Sequence, residues 1–92
     1  MLRLNCFIAV TDCSHRDTVI DAAKRLTEAS LLQDGCIAYD VFTSATRPDV
    51  IMICETWRDN EALKAHSDSE VFATEVSAMQ KYAKMKLETF EF

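Results

Sequence analysis

The chain has 92 residues, 49% apolar and 27% charged, which is enough for one domain with its own core, spanning residues 1–92. A net charge of −5 argues against a nucleic-acid partner, which needs clustered Lys and Arg, and no apolar run approaches the roughly 18 residues that cross a bilayer, so no membrane partner is expected. One Gly and one Pro exclude a linker-rich chain.

Arg3 to Val10 alternates as a strand, with Leu4, Cys6, Ile8 and Val10 on one face and Asn5, Phe7 and Ala9 on the other. Both faces are largely apolar, and Asn5 is the one strongly polar residue in the middle of the run. Ser14 and Asp17 have the spacing of a capping box, with Asp in the usual Glu or Gln place. The helix that follows carries one apolar stripe, Val19, Ala22, Ala23, Leu26, Ala29 and Ser30. It ends near Leu32 or Gln33, with Gly35 available for a left-handed cap.

Cys36 to Ser44 reads as a second strand, with Ile37, Tyr39 and Val41 on one face. The segment Ala45 to Asp49, containing Pro48, is the natural hairpin connection. Val50 to Trp57 is a third strand, again apolar on both faces at its start, and Glu55 and Trp57 share the face of Ile51 and Ile53. Asp59 caps a short helix, Asn60 to about His66, in which Ala62 and Leu63 place the imidazole on the inward face. Asp68 or Ser69 caps the next helix, whose stripe is Phe72, Val76, Met79 and Ala83. Lys81, Lys84 and Lys86 fall near its end, where the helix dipole favours cations. Lys86 to Phe92 closes the chain as a strand.

The order strand, helix, strand, strand, helices, strand is the split β-α-β pattern of an α+β, ferredoxin-like fold with an antiparallel sheet. That topology makes the first and third strands central, and these are the two that carry apolar residues on both faces. Helices cover only one face of the sheet. The other face predicts a homodimer with two sheets packed together, since soluble monomers avoid large apolar patches.

Four cysteines stand at positions 6, 13, 36 and 54, with no Cys-x-x-Cys pair. Cys6, Cys36 and Cys54 lie in apolar strand patterns, where a free thiol acts as a small hydrophobe. Free thiols fit a reducing compartment, and no small-residue cleavage site follows the N-terminus, so a cytoplasmic location is expected. A zinc site from Cys6, Cys36, Cys54 and His66 lacks ligand spacing of a known type, and no metal site is predicted.

Gly35-Cys36-Ile37-Ala38-Tyr39-Asp40, then Glu55-Thr56-Trp57, then Glu61-Ala62-Leu63 and His66 resemble, in order and spacing, the antibiotic biosynthesis monooxygenase (ABM) family, and within it the small quinol-monooxygenase-like branch. The resemblance runs over essentially the whole chain. It implies a dimeric α+β barrel with a pocket between sheet and helices. It also implies cofactor-independent monooxygenation, with dioxygen, of a quinol, anthrone or similar hydroxylated aromatic. The haem-degrading branch of the family is disfavoured. Asn5 matches its first-strand Asn, but His66 stands where that branch has Trp, and Val76, which cannot ligate iron, stands where it has the ligating His. His15, at the start of the first helix, would not substitute.

Oxygenation without metal or flavin needs a substrate that supplies the electron itself, as a deprotonated phenol or enol does. The protein must then remove a proton, hold the anion and exclude water. His66 suits proton removal, and with Asn5 forms the predicted catalytic pair. Asn5 and Tyr39 are candidate donors to a substrate oxygen. Trp57, Tyr39 and Glu55 form the predicted substrate-binding set, Trp57 as a flat wall for a ring. Each has a plainer reading. His66 suits a helix end, Asn5 a strand or interface hydrogen bond, Trp57 the core, Tyr39 a sheet edge, and Glu55 a partner for Arg58. Arg25 and Arg58 read as solvated charges. Two further functions compete: a small-molecule binding module without turnover, and an acid–base isomerase acting on a small keto compound through His66, Glu55 and Tyr39.

Overall fold

The computed structural model describes residues 1–92. Strand β1 is Leu2–Val10, helix α1 Arg16–Ser30, β2 Cys36–Thr43, β3 Val50–Trp57, α2 Asn60–Ser67, α3 Glu70–Gln80 and β4 Ala83–Glu91. The four strands form one antiparallel sheet in the order β2-β3-β1-β4, with β1 and β3 central. This is the ferredoxin-like α+β topology expected from the chain order.

The helices lie on one face. Leu2, Leu4, Cys6, Ile8 and Val10 of β1 and Ile51 and Ile53 of β3 point toward them and are buried against Val19, Ala22, Ala23 and Leu26 of α1 and Met79 of α3. The strict alternation of burial along β1 follows from the period-two geometry of a strand with one covered face. Glu75 joins the α3 stripe as a buried carboxylate, held by two hydrogen bonds from Arg25 of α1, at 2.8 and 3.2 Å. Arg25 is thus an interhelix clamp rather than a solvated charge.

Several local expectations are corrected. The Ser14–Asp17 capping box does not form. Asp12 Oδ1 instead accepts from the Ser14 N–H at 3.0 Å and from its hydroxyl at 2.6 Å, starting a 3-10 turn over Cys13–His15 before α1 begins at Arg16. Helix α3 stops at Gln80, so Ala83 opens β4, and Lys84 and Lys86 are strand residues. Only Lys81 sits at the helix terminus. In β2 the register shifts between Cys36 and Ala38: Cys36 faces Trp57 and Ala38 faces Thr56. Ile37 is the extra residue of this bulge and is largely exposed, instead of sharing Tyr39's inward face.

The other sheet face carries Asn5, Phe7, Ala9, Met52 and Cys54, all half-buried, with Phe42 and Phe90 exposed. The Arg47 guanidinium lies 5.9 Å from the Phe7 ring centroid on this side, a cation–π contact. No helix is long and apolar enough to cross a membrane.

Candidate active site

Two caps and one glycine set the site's position. Asp59 Oδ1 accepts from the Ala62 N–H at 2.9 Å, which starts α2 directly after β3. Ser69 Oγ caps α3 through the Phe72 N–H. Gly35 has φ +81°, and a Cβ there would lie 2.3 Å from Ala62 Cβ, so only glycine lets the α1–β2 connection pass this close to α2. The Arg58 N–H donates to Gly35 O at 2.8 Å, and the Arg58 guanidinium bridges Asp34 and Asp59. Arg58 therefore does not pair with Glu55, and its own three-way pairing ties the α1–β2 connection to the start of α2.

Behind this junction is a cavity of about 160 Å³ between the sheet and the helices. Leu4, Cys6 and Ile53 form its sheet side. Leu26, Leu63, Phe72 and Val76 line the helix side, and Met85 and Leu87 of β4 complete it. Ser67, Gln80 and Leu87 are its exposed members and mark the mouth. Three buried polar side chains enter this apolar lining: Tyr39, Glu55 and His66.

His66 is 2% exposed and enclosed by rings: Trp57 at 4.5 Å between centroids, Phe72 at 5.1 Å and Tyr39 at 5.6 Å. Its Nδ1 lies 2.7 Å from Gln33 Oε1, while Nε2 has no hydrogen-bond partner in the protein. Burial pushes its pKa down to about 4, so the ring is neutral at pH 7. Nε2 and Glu55 Oε1 are 4.0 Å apart, an ion-pair separation only when the ring is protonated. Glu55 Oε1 accepts from Trp57 Nε1 at 2.9 Å, and the carboxyl also takes a hydrogen bond from Tyr39. Burial outweighs both donors and raises the Glu55 pKa. Burial, with Glu55 nearby, raises that of Tyr39, so the phenol keeps its proton. The Cys6 thiol is likewise pushed up to about 11, first by burial, and is no nucleophile at neutral pH.

Tyr39, Glu55 and His66 thus line one cavity. Two other candidates do not share the cavity. Asn5 lies on β1 between Leu4 and Cys6, both of which face the cavity, so its side chain projects from the opposite face of the sheet. The inward polar candidate on β1 is Cys6, one residue along. Trp57 is fully buried and lies behind the site: it orients Glu55 and packs on His66 but forms no wall of the cavity. Cys54, on Asn5's face, is separated from Cys6 and His66 by the sheet, so the four candidate zinc ligands do not converge. The sequence pattern presents Gln33 only as a helix end. Its contact joins residues 33 apart in the chain, and no local pattern announces it.

The chain belongs to the antibiotic biosynthesis monooxygenase family, whose model matches residues 2–78. Among its relatives, a crystal structure of a Bacteroides thetaiotaomicron protein of unknown function, described as a candidate oxidoreductase, is 53% identical, covers 99% of this chain and 96% of that one, and superposes with a TM-score of 0.95. YcnE of Bacillus subtilis strain 168, provisionally named a monooxygenase, is 26% identical over 72 residues, 78% of this chain and 75% of YcnE. SnoaB of Streptomyces nogalater, a cofactor-independent oxygenase, shares the fold with a TM-score of 0.82 at 12% identity, over 99% of this chain and 91% of SnoaB.

Proposed function

We propose that the protein is a cofactor-independent monooxygenase acting on a hydroxylated aromatic of quinol type, with His66 as the base. The observation that carries this reading is the buried Nε2 of His66, without a hydrogen-bond partner in the protein, on a ring that lines an apolar cavity. A buried polar atom left unpaired costs about 1–3 kcal/mol, and a substrate hydroxyl donating to Nε2 recovers that cost. The cavity also suggests size. An apolar cavity of about 150 Å³ accepts benzene, so about 160 Å³ suits a single hydroxylated ring better than a three-ring anthrone.

In this reading the substrate O–H proton moves to Nε2, leaving an electron-rich anion among apolar side chains and an imidazolium facing Glu55. The anion passes an electron to dioxygen, and the two radicals combine to form a carbon–oxygen bond. The resulting peroxide takes a proton and collapses to a carbonyl with loss of water. One oxygen atom enters the substrate, the other leaves as water, and all reducing electrons come from the substrate: a hydroquinone and dioxygen give a hydroxyquinone and water. Tyr39 and Trp57 hold Glu55 in place. Asn5, on the other sheet face, has no part in this chemistry within one chain.

Oxygen uptake with a simple hydroquinone, without added flavin or metal, tests the reading. Ligand-induced thermal stabilisation with no oxygen consumed would instead support a binding module. An acid–base isomerase is favoured by one observation, the 4.0 Å approach of Glu55 to His66, two groups whose pKa values are displaced in opposite directions. Proton exchange into a keto compound without oxygen uptake would point there.

The apolar outer sheet face supports a homodimer in which two sheets pack face to face. Light scattering at micromolar concentration checks this, and a monodisperse monomer rules it out.

A further inference from the structure

His66 stands between two hollows. Its ring borders the apolar cavity on one side and, on the other, a polar groove lined by Gln33, Asp34, Arg58 and Glu61. Gln33 belongs to the groove alone. The ring is therefore a partition, with Nδ1 held by the groove-side residue and Nε2 turned toward Glu55, a residue of the cavity lining. We propose that Gln33 is a positioning residue that holds the His66 proton on Nδ1 and so keeps the Nε2 lone pair available to the cavity. This deepens the reading of His66 as a base and rests on it.

The tautomer of a neutral imidazole follows from the hydrogen bond made at its other nitrogen. A histidine in water prefers the proton on Nε2. In that form the nitrogen facing Glu55 would be a donor and unable to take a substrate proton. The 2.7 Å contact with the Gln33 carbonyl oxygen requires a donor at Nδ1 and reverses the preference. The amide is neutral, so it selects the tautomer without adding a negative charge beside the ring. When Nε2 gains a proton, the same oxygen continues to accept from Nδ1, and the ring keeps its orientation during transfer.

The test is nitrogen-15 NMR of the imidazole at pH 7.5 without substrate. The chain has two histidines, and His15→Ala assigns the signals. The expected wild-type pattern has a protonated Nδ1 and an unprotonated Nε2. Gln33→Met, similar in length but with no acceptor, should lose that pattern and move proton density to Nε2. Gln33→Glu, which keeps the acceptor, should retain it. In turnover, Gln33→Met should lower kcat at least about tenfold with KM little changed. A wild-type proton on Nε2, or a Met variant with an unaltered tautomer, overturns the proposal. The wild-type spectrum decides the first point even if a variant fails to fold. Failure of the parent reading looks different: His66→Ala would keep its oxygen uptake while the tautomer result stood.

Discussion

The Glu55 carboxyl and the His66 imidazole approach to 4.0 Å, each nearly closed to water, and only one of the two nitrogens of His66 is hydrogen-bonded. At rest this is a contact between a carboxyl group with a raised pKa and a neutral ring. A protonated ring stands at ion-pair separation from this carboxyl, in a medium far less polar than water, where attraction between opposite charges is stronger. Burial nonetheless holds the His66 pKa down, so the ring is neutral and able to take a proton at pH 7.

Replacing His66 by Ala should reduce oxygen uptake with a hydroquinone by about 10²–10⁴-fold, the usual contribution of a positioned base. Circular dichroism should show the helices and sheet retained. Asn5→Ala should leave uptake essentially unchanged, because its side chain is on the far face of the sheet. A large loss in the Asn5 variant alone would move the chemistry to that face.

Trp57→Phe should destabilise the protein by about 1–3 kcal/mol, measured by urea denaturation. The substitution keeps most of the packing but removes the indole N–H that donates to Glu55 at 2.9 Å. It should also raise the Glu55 pKa further, since one of its two stabilising donors is gone.

Stability should fall as pH is lowered from about 6.5 to about 4. In this window the unfolded chain protonates His66 while the folded ring, with its depressed pKa, does not. The sign is that of a depressed group: the contribution is full above the unfolded pKa and lost as pH falls toward the folded one. The size is about 3 kcal/mol at most, from the displacement of the pKa. Glu55 acts in the opposite sense. Its folded pKa is raised, so its contribution is present below the unfolded value and lost as pH rises through the folded one. Comparing denaturation midpoints of wild type and His66→Gln across this range isolates the imidazole: the variant should lose the slope that His66 contributes.

Gly35→Ala should cost about 2–4 kcal/mol, combining a left-handed backbone for a residue with Cβ and a steric overlap with Ala62. Adding Ala62→Gly should recover the overlap but not the backbone part. Denaturation of both variants checks this, and a fully neutral Gly35→Ala would mean the connection shifts freely away from α2.

Much of this molecule was legible in the chain itself. Val50–Trp57 and the Asp59 cap were read at their observed positions, because a buried strand and a capped helix leave local patterns. The central placement of β1 and β3 followed from chain order and from apolar residues on both faces. The start of α1 and the end of α3 differ from the sequence pattern because several nearby side chains compete to cap or continue a helix, and tertiary contacts choose between them.

For the site, sequence determined which residue types were present and which of them shared a strand face: Glu55 with Trp57 on β3, His66 on the inward side of α2. It did not determine which face of β1 the helices would cover. Both faces of β1 are apolar, so periodicity separates Asn5 from Cys6 without saying which looks into the cavity. Packing of α1 and α3 decided that in favour of Cys6. The Gln33–His66 contact and the retreat of Trp57 behind Glu55 also came only with tertiary structure. The first depends on how closely the α1–β2 connection and α2 approach at Gly35, a distance that no local pattern encodes.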